Sequence, residues 1–397
     1  MRKLADRVEN LEESQTIAMA RISRELQEQG HNVISLSLGE PDFNTPEYIG
    51  NAAKQAIDDG FTKYPPISGY GDVREAIAQK FKKDNNLDFK PSQIVVSTGA
   101  KQCIANAVLC CVNPGEEVLL PAPYWVSYSQ IIELAGGIPV CLNTTIESDF
   151  KVTPQEVEKA ITSKTRMFIF SSPCNPTGTV YGRDELKALA AVFAKHRQII
   201  VLSDEIYEHI NFVGKHESIA QFEEIKNNVI VVNGVSKGYA MTGWRIGYMA
   251  APQDIATACD KIQGQFTSAA CSIAQKAAKT AISVTTDDRK KMVDTFHKRR
   301  DMVLDLMKDI PGWKTNKPEG AFYVFPDISY YFGKTDGQKI IRTPSDLCMY
   351  LLQDAKVALV TGEAFGDNRC IRFSYATGDD LLREAIRRIK ESLAKLK

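Results

Sequence analysis

The chain has 397 residues, 44% hydrophobic and 25% charged, enough to bury a large core and form two domains. Its 49 basic and 49 acidic side chains cancel, so nothing in the charge points to a nucleic-acid or anionic-membrane partner. Nine cysteines, an odd number with no C-x-x-C pair and with Cys110 beside Cys111, read as small hydrophobes in a reducing compartment, so a cytoplasmic location is expected.

From the N-terminus, Met1-Arg2-Lys3-Leu4-Ala5-Asp6-Arg7-Val8-Glu9 lacks the apolar stretch of a signal peptide, and its acids argue against a transit peptide. No apolar run approaches the roughly 20 residues of a membrane span. Through the middle, short β-rich runs at 93–97, 117–120, 165–171, 198–203 and 228–233 alternate with helical stretches such as 183–195. Continuous runs such as Ile199-Ile200-Val201-Leu202 suit strands buried on both faces of a parallel sheet, an α/β arrangement. Towards the end, 320–325 and 370–375 read as strands among helices, a smaller α+β domain.

Open α/β sheets bind ligands beyond the carboxyl ends of their strands. After 93–97 comes Thr98-Gly99-Ala100-Lys101-Gln102, then an apolar helix. Glycine lets the backbone approach a phosphate, and the helix N-terminus favours a dianion by about 1–2 kcal/mol. An ordinary strand-to-helix cap reads the same way. Trp125, in Pro121-Ala122-Pro123-Tyr124-Trp125-Val126-Ser127-Tyr128, can stack on a planar ring or pack in the core. After 165–171 lies the turn Ser172-Pro173-Cys174-Asn175-Pro176-Thr177-Gly178. After 198–203 comes Asp204-Glu205-Ile206-Tyr207, where Asp204 can ion-pair with a protonated ring nitrogen or simply cap a helix.

Lys237 follows the run 228–233 in Ser236-Lys237-Gly238-Tyr239-Ala240-Met241-Thr242-Gly243-Trp244-Arg245-Ile246-Gly247. Its amine can bond to the aldehyde of pyridoxal phosphate while Ser236 and Arg245 reach the phosphate. This run resembles the cofactor-attachment motif of class I aminotransferases, the fold-type I pyridoxal-phosphate enzymes. The likeness extends from Ser35-Leu36-Ser37-Leu38-Gly39-Glu40-Pro41-Asp42-Phe43 to Arg372-Phe373-Ser374-Tyr375, and within the family it is nearest the bacterial aspartate aminotransferases.

The resemblance implies a large cofactor domain at 48–295, with 1–47 and 296–397 forming the small domain. It implies that Gly99, Ala100 and Lys101 border the phosphate, and that Asn175 and Tyr207 donate to the cofactor's phenolic oxygen. Trp125 and Asn175 would also border the substrate. Tyr64, in Thr62-Lys63-Tyr64-Pro65-Pro66, matches a tyrosine that reaches the neighbouring subunit's phosphate, implying a homodimer with shared sites. Gly39 would approach the substrate carboxylate through its amide.

Arg372 interrupts an apolar strand pattern, and a buried arginine needs an anion, such as a substrate α-carboxylate or a structural carboxylate partner. Lys101 is a candidate for a second, distal carboxylate, and Gly99-Ala100-Lys101-Gln102 resembles the aspartate subgroup; a solvated surface lysine is the alternative. Ser14 and Thr16 could add hydroxyl donors. The expectation is an aminotransferase moving nitrogen from aspartate to 2-oxoglutarate by a ping-pong mechanism, with amino and 2-oxo acids as its small-molecule partners. Broader, aromatic or alanine specificity and a β-eliminating lyase are the alternatives. Glu12 and Glu13 stand where some relatives use a basic residue for prephenate, which argues against that substrate. There is no G-x-G-x-x-G or G-x-x-x-x-G-K-[ST] for a nucleotide. His31, His196, His209, His216 and His297 form no H-x-x-x-H metal pair.

Overall fold

Runs of β-branched and aromatic residues build the centre of the molecule. The computed structural model describes residues 4–9, 11 and 13–397. Its strands are β1 (Ile34–Ser35), β2 (Ile94–Ser97), β3 (Glu117–Ala122), β4 (Ile138–Asn143), β5 (Thr165–Ser171) and β6 (Ile200–Asp204). There follow β7 (Val229–Gly234), β8 (Gly247–Ala250), β9 (Tyr323–Val324), β10 (Val357–Ala358), β11 (Val360–Thr361) and β12 (Ile371–Ser374).

A seven-stranded sheet has the order β2-β8-β7-β6-β5-β3-β4. It is parallel except for β8, which runs antiparallel to both β2 and β7. Alternate residues of each inner strand feed opposite cores. Phe168, Phe170, Val201 and Val231 face helices Glu47–Asp58, Gly71–Lys80, Arg183–Lys195 and Ser272–Ser283. Met167, Ile169, Leu202 and Ile230 face helices Ala100–Cys111, Ser127–Leu134 and Gln253–Phe266. Burying each such side chain stabilises by roughly 1.5–3 kcal/mol, so the strands that carry the site residues cannot shift register cheaply.

A third core joins both ends of the chain. Met19, Val33 and Leu36 pack with Phe296, Leu351, Phe373 and Ile386. β1 pairs in parallel with β10 through Ile34↔Val357, while β11, β12 and β9 form an antiparallel sheet. The N-terminal helix Gln15–Glu28 is thereby held against this α+β part. No helix among the described residues is long and apolar enough to cross a membrane.

The runs 165–171 and 183–195 match β5 and a helix residue for residue. The pattern at 320–325 yields only the short β9, because Phe322 and Phe325 are buried by ring packing outside ladder positions. β4 and β8 escape the sequence pattern for different reasons. β4 is an edge strand with a mostly uncovered face and a proline, and β8 is four residues long and opens on a glycine.

Candidate active site

The loops after β2, β3, β5, β6 and β7 converge with the N-terminal segment and β12 on a cavity of ≈ 230 Å³. At its floor β6 ends on Asp204, which is 5% exposed. Its Oδ2 accepts from the Tyr128 hydroxyl at 2.7 Å and its Oδ1 from the Ile206 amide at 3.2 Å. Burial pushes this carboxyl up to about 6 in spite of those two donors. Lys237, after β7, donates from Nζ to the Gly39 carbonyl at 2.5 Å and lies 5.8 Å from the Tyr207 ring. Burial lowers its ammonium to about 8, and the nearby Glu40 opposes that shift.

A second group of residues forms a cradle. Gly99, at φ 81, caps helix Ala100–Cys111, and a Cβ there would stand 2.4 Å from Arg245 Nη2. Arg245, also left-handed at φ 56, is braced by Nη1 donating to the Thr242 carbonyl at 2.9 Å. Thr242 in turn donates to Glu40. Gly247 opens β8 against the same helix, where an added Cβ would stand 2.2 Å from the Ala100 nitrogen. Ser236 lines the cavity from the loop above β7. The cradle therefore combines a helix N-terminus, a guanidinium and a hydroxyl, a donor set suited to a dianion.

The opposite wall belongs to Arg372, on β12 and 1% exposed. Nη1 donates to Asn175 Oδ1 at 2.9 Å, Nη2 donates to the Ser37 carbonyl, and Nε has no partner among the described residues. The guanidinium is flanked by the rings of Tyr323 and Phe365, at 4.7 and 4.9 Å. Tyr207 shares a 2.7 Å hydrogen bond with Tyr323, and burial holds its phenol well above the usual range.

At the mouth, Lys101 Nζ lies 5.0 Å from the Trp125 ring. Lys101 keeps solvent exposure, yet partial burial and then the charge of Arg245 lower its pKa. Trp125 meets Tyr128 edge-on at 5.4 Å. Ser14 and Thr16 line the cavity, and the buried Thr16 hydroxyl has no partner among the described residues. Two of the sequence-derived residues do not line the cavity: Gly99 backs it through Arg245, and Tyr64 is 94% exposed outside it.

A model of the family "Aminotransferase class I and II" matches residues 31–389. The chain belongs to that family. It is 46% identical to a bifunctional aspartate aminotransferase and glutamate/aspartate-prephenate aminotransferase of Petunia hybrida, over 99% of this chain and 83% of the relative. It is also 46% identical to the aspartate/prephenate aminotransferase of Cereibacter sphaeroides, over 99% of each chain. The crystal structure of the aspartate aminotransferase from Rhizobium meliloti superposes with a TM-score of 0.96 at 39% identity, covering 100% of both chains.

Aminotransferases of this fold depend on pyridoxal phosphate. Among the lining residues that sequence reasoning missed, two tyrosines hydrogen-bond to expected site residues. Tyr128 lies one helical turn beyond Trp125, and a tyrosine buried to 1% demands a hydroxyl partner, here Asp204. Tyr323 sits in a run that reads only as a strand. Its hydroxyl fills the space where a side chain at position 39 would lie, 2.2 Å from an added Cβ, so any larger residue than Gly39 would push Tyr323 aside. Of the two glutamates weighed against prephenate, Glu13 pairs loosely with Arg21 at 3.6 Å, and Glu12 lies outside the described residues.

Proposed function

We propose that this aminotransferase moves the amino group of L-aspartate to 2-oxoglutarate, giving oxaloacetate and L-glutamate in two alternating half-reactions at one site. The observation that carries the reading is a pair of cations on one cavity. Lys101 and Arg372 both line it, and among the described residues neither has a carboxylate partner. A dicarboxylate substrate supplies both. Arg372 would take the α-carboxylate in a bidentate fork, displacing neutral acceptors, and Lys101 the distal one. The unpartnered Arg372 Nε and Thr16 hydroxyl supply donors for the same oxygens.

The residues fit pyridoxal phosphate. The Gly99–Arg245 cradle with Ser236 suits its phosphate, Trp125 its ring face, and Asn175 and Tyr207 its phenolic oxygen. Asp204, a carboxylate resisting ionisation among neutral partners, is completed by a ring N–H cation. When bound, that cofactor supplies an aldehyde to carry the amine and a ring to absorb electrons. Lys237 Nζ takes the proton from the substrate Cα, and a pKa near 8 leaves much of the amine available at mildly alkaline pH. We assign Tyr64, 94% exposed outside its own chain's cavity, to a neighbouring subunit's site in a homodimer, the role that the family resemblance implies for it. The free thiols support a reducing, cytoplasmic setting.

The test is initial-rate kinetics with L-aspartate, L-alanine and L-phenylalanine as donors for 2-oxoglutarate, on the native enzyme and Lys101→Ala. Lys101→Ala is expected to raise the aspartate KM on the order of tenfold or more, the cost of one charge-assisted bond, and to leave the apolar donors nearly unchanged. Equal effects on all donors would sink the acidic specificity. Oxo-acid release that continues past one equivalent per site without an acceptor would mark a lyase instead. Prephenate belongs in the same assay, because relatives carry that activity in their names.

A further inference from the structure

The segment Asp204-Glu205-Ile206-Tyr207-Glu208 faces two ways. Asp204 and Tyr207 line the active-site cavity. Glu205 and Glu208 are buried behind it at 0% and 5% exposure, and together with His216 they bring ligating atoms within 4.8 Å of one another. Buried carboxylates require cations. Lys80, itself only 4% exposed, pairs with Glu208 and donates to Asn85 Oδ1 at 2.8 Å. Asn85 completes the triangle by donating to Glu208 Oε2 at 2.9 Å. The local winding explains the triangle, because Phe81–Asn85 is a π-helical turn that brings Asn85 back over Lys80. Glu205 accepts from Ser203 at 2.9 Å and Ser218 at 2.6 Å, and pairs with His216 Nε2 at 3.0 Å.

The cluster also touches the loop that carries Lys237. His209, 3.2 Å from Glu208, accepts from Arg289 Nη1 at 3.2 Å, while Arg289 also donates to the Tyr239 hydroxyl at 2.9 Å. A Cβ on Gly238 would stand 2.7 Å from the His209 ring, so this imidazole abuts the residue next to Lys237. Two catalytic loops thus rest on one buried polar network, and none of its members lines the active-site cavity.

We propose that Lys80, Glu205, Glu208 and His216 are positioning residues for Asp204, Tyr207 and Lys237, with the Lys80 ammonium acting as the resident cation where the ligand set would otherwise suit a metal ion. The inference rests on the transamination reading above. Its readouts include two that do not need turnover: the dissociation constant of pyridoxal phosphate, and the pH midpoint of the bound cofactor's visible absorbance.

The experiment compares native holoenzyme with Glu208→Gln, Lys80→Met and Lys80→Arg. Glu208→Gln, nearly isosteric and still able to meet Asn85, is expected to lower kcat on L-aspartate on the order of tenfold with little change in KM. Its absorbance midpoint should rise, because a displaced Tyr207 stabilises the deprotonated chromophore less. Loss of a negative charge alone would lower that midpoint, and a lowered midpoint would overturn the proposal. Lys80→Arg should stay nearer to native than Lys80→Met in both readouts. A Glu208→Gln holoenzyme with reduced thermal stability but native kcat, midpoint and cofactor affinity would mean that the cluster only packs the core. Stoichiometric divalent metal in chelator-washed native enzyme would overturn it too, making Glu205, Glu208 and His216 ligands. If native enzyme fails to transaminate, the reading beneath falls, and the affinity and midpoint shifts still judge the positioning role.

Discussion

Asp204 carries its carboxylate in a buried site with one phenol and one amide as partners, and its pKa rises from 3.8 to about 6. A carboxyl that binds its proton more tightly when folded stabilises the fold below about pH 4, and that contribution is lost as pH rises through about 6. At neutral pH the cofactor-free protein therefore carries a cost on the order of 3 kcal/mol at this residue. Asp204→Asn, stripped of cofactor, is expected to melt above native protein at pH 7, with the gap closing towards pH 4. Loading with pyridoxal phosphate should reverse the order, since asparagine offers no charge to a ring N–H cation. Calorimetry across that pH range checks both signs. Gly99→Ala acts at the same scale: the left-handed φ and the displaced Arg245 guanidinium should weaken cofactor binding on the order of tenfold, read by fluorescence titration.

At the level of elements, the approach of β8 to helix Ala100–Cys111 sets where that helix begins. Gly247→Ala would press a methyl into the backbone at Ala100, where no flexible side chain can yield. The expected loss is about 1–3 kcal/mol of stability together with weakened cofactor retention, measured by thermal melts with and without pyridoxal phosphate. That contact was illegible in sequence, where Gly247 closes a loop motif and Ala100 opens a distant one. The elements that were legible share one property. β5, β6 and β7 are buried on both faces, so their continuous apolar runs have no competing explanation, and the residue after each strand is announced by the strand itself. Edge strand β4, half exposed, gives no such signal.

The whole molecule explains the remainder of the site. Lys237 meets Gly39, and Arg372 meets Asn175 and Ser37, across 198, 197 and 335 residues of chain. Such closures follow from the pairing of β1 with β10 and of β12 with β9, which no local periodicity reveals. Tyr323 belongs to this scale as well, because it meets Tyr207 only when the sheet and the α+β part come together, whereas Tyr128 finds Asp204 beside the sheet itself. Tyr64 extends the argument past one chain. Tyr64→Phe is expected to leave the melting temperature of the cofactor-free enzyme nearly unchanged while raising the pyridoxal-phosphate dissociation constant several-fold, the loss of one hydrogen bond to a charged group. Sedimentation of native enzyme should give twice the chain mass; a monomer with full activity would remove Tyr64 from the site.

Arg372 has one further consequence. Its two hydrogen-bond acceptors are both neutral, so a full positive charge faces the cavity with no carboxylate partner among the described residues. Such a guanidinium does not wait for amino acids alone. Chloride, acetate and formate are small enough to compete for it, and each would act as an inhibitor against the donor in proportion to its concentration. If Arg372 takes the substrate carboxylate as proposed, the apparent affinity for substrates is expected to vary with the buffer anion, read as a KM that rises with chloride at fixed ionic strength.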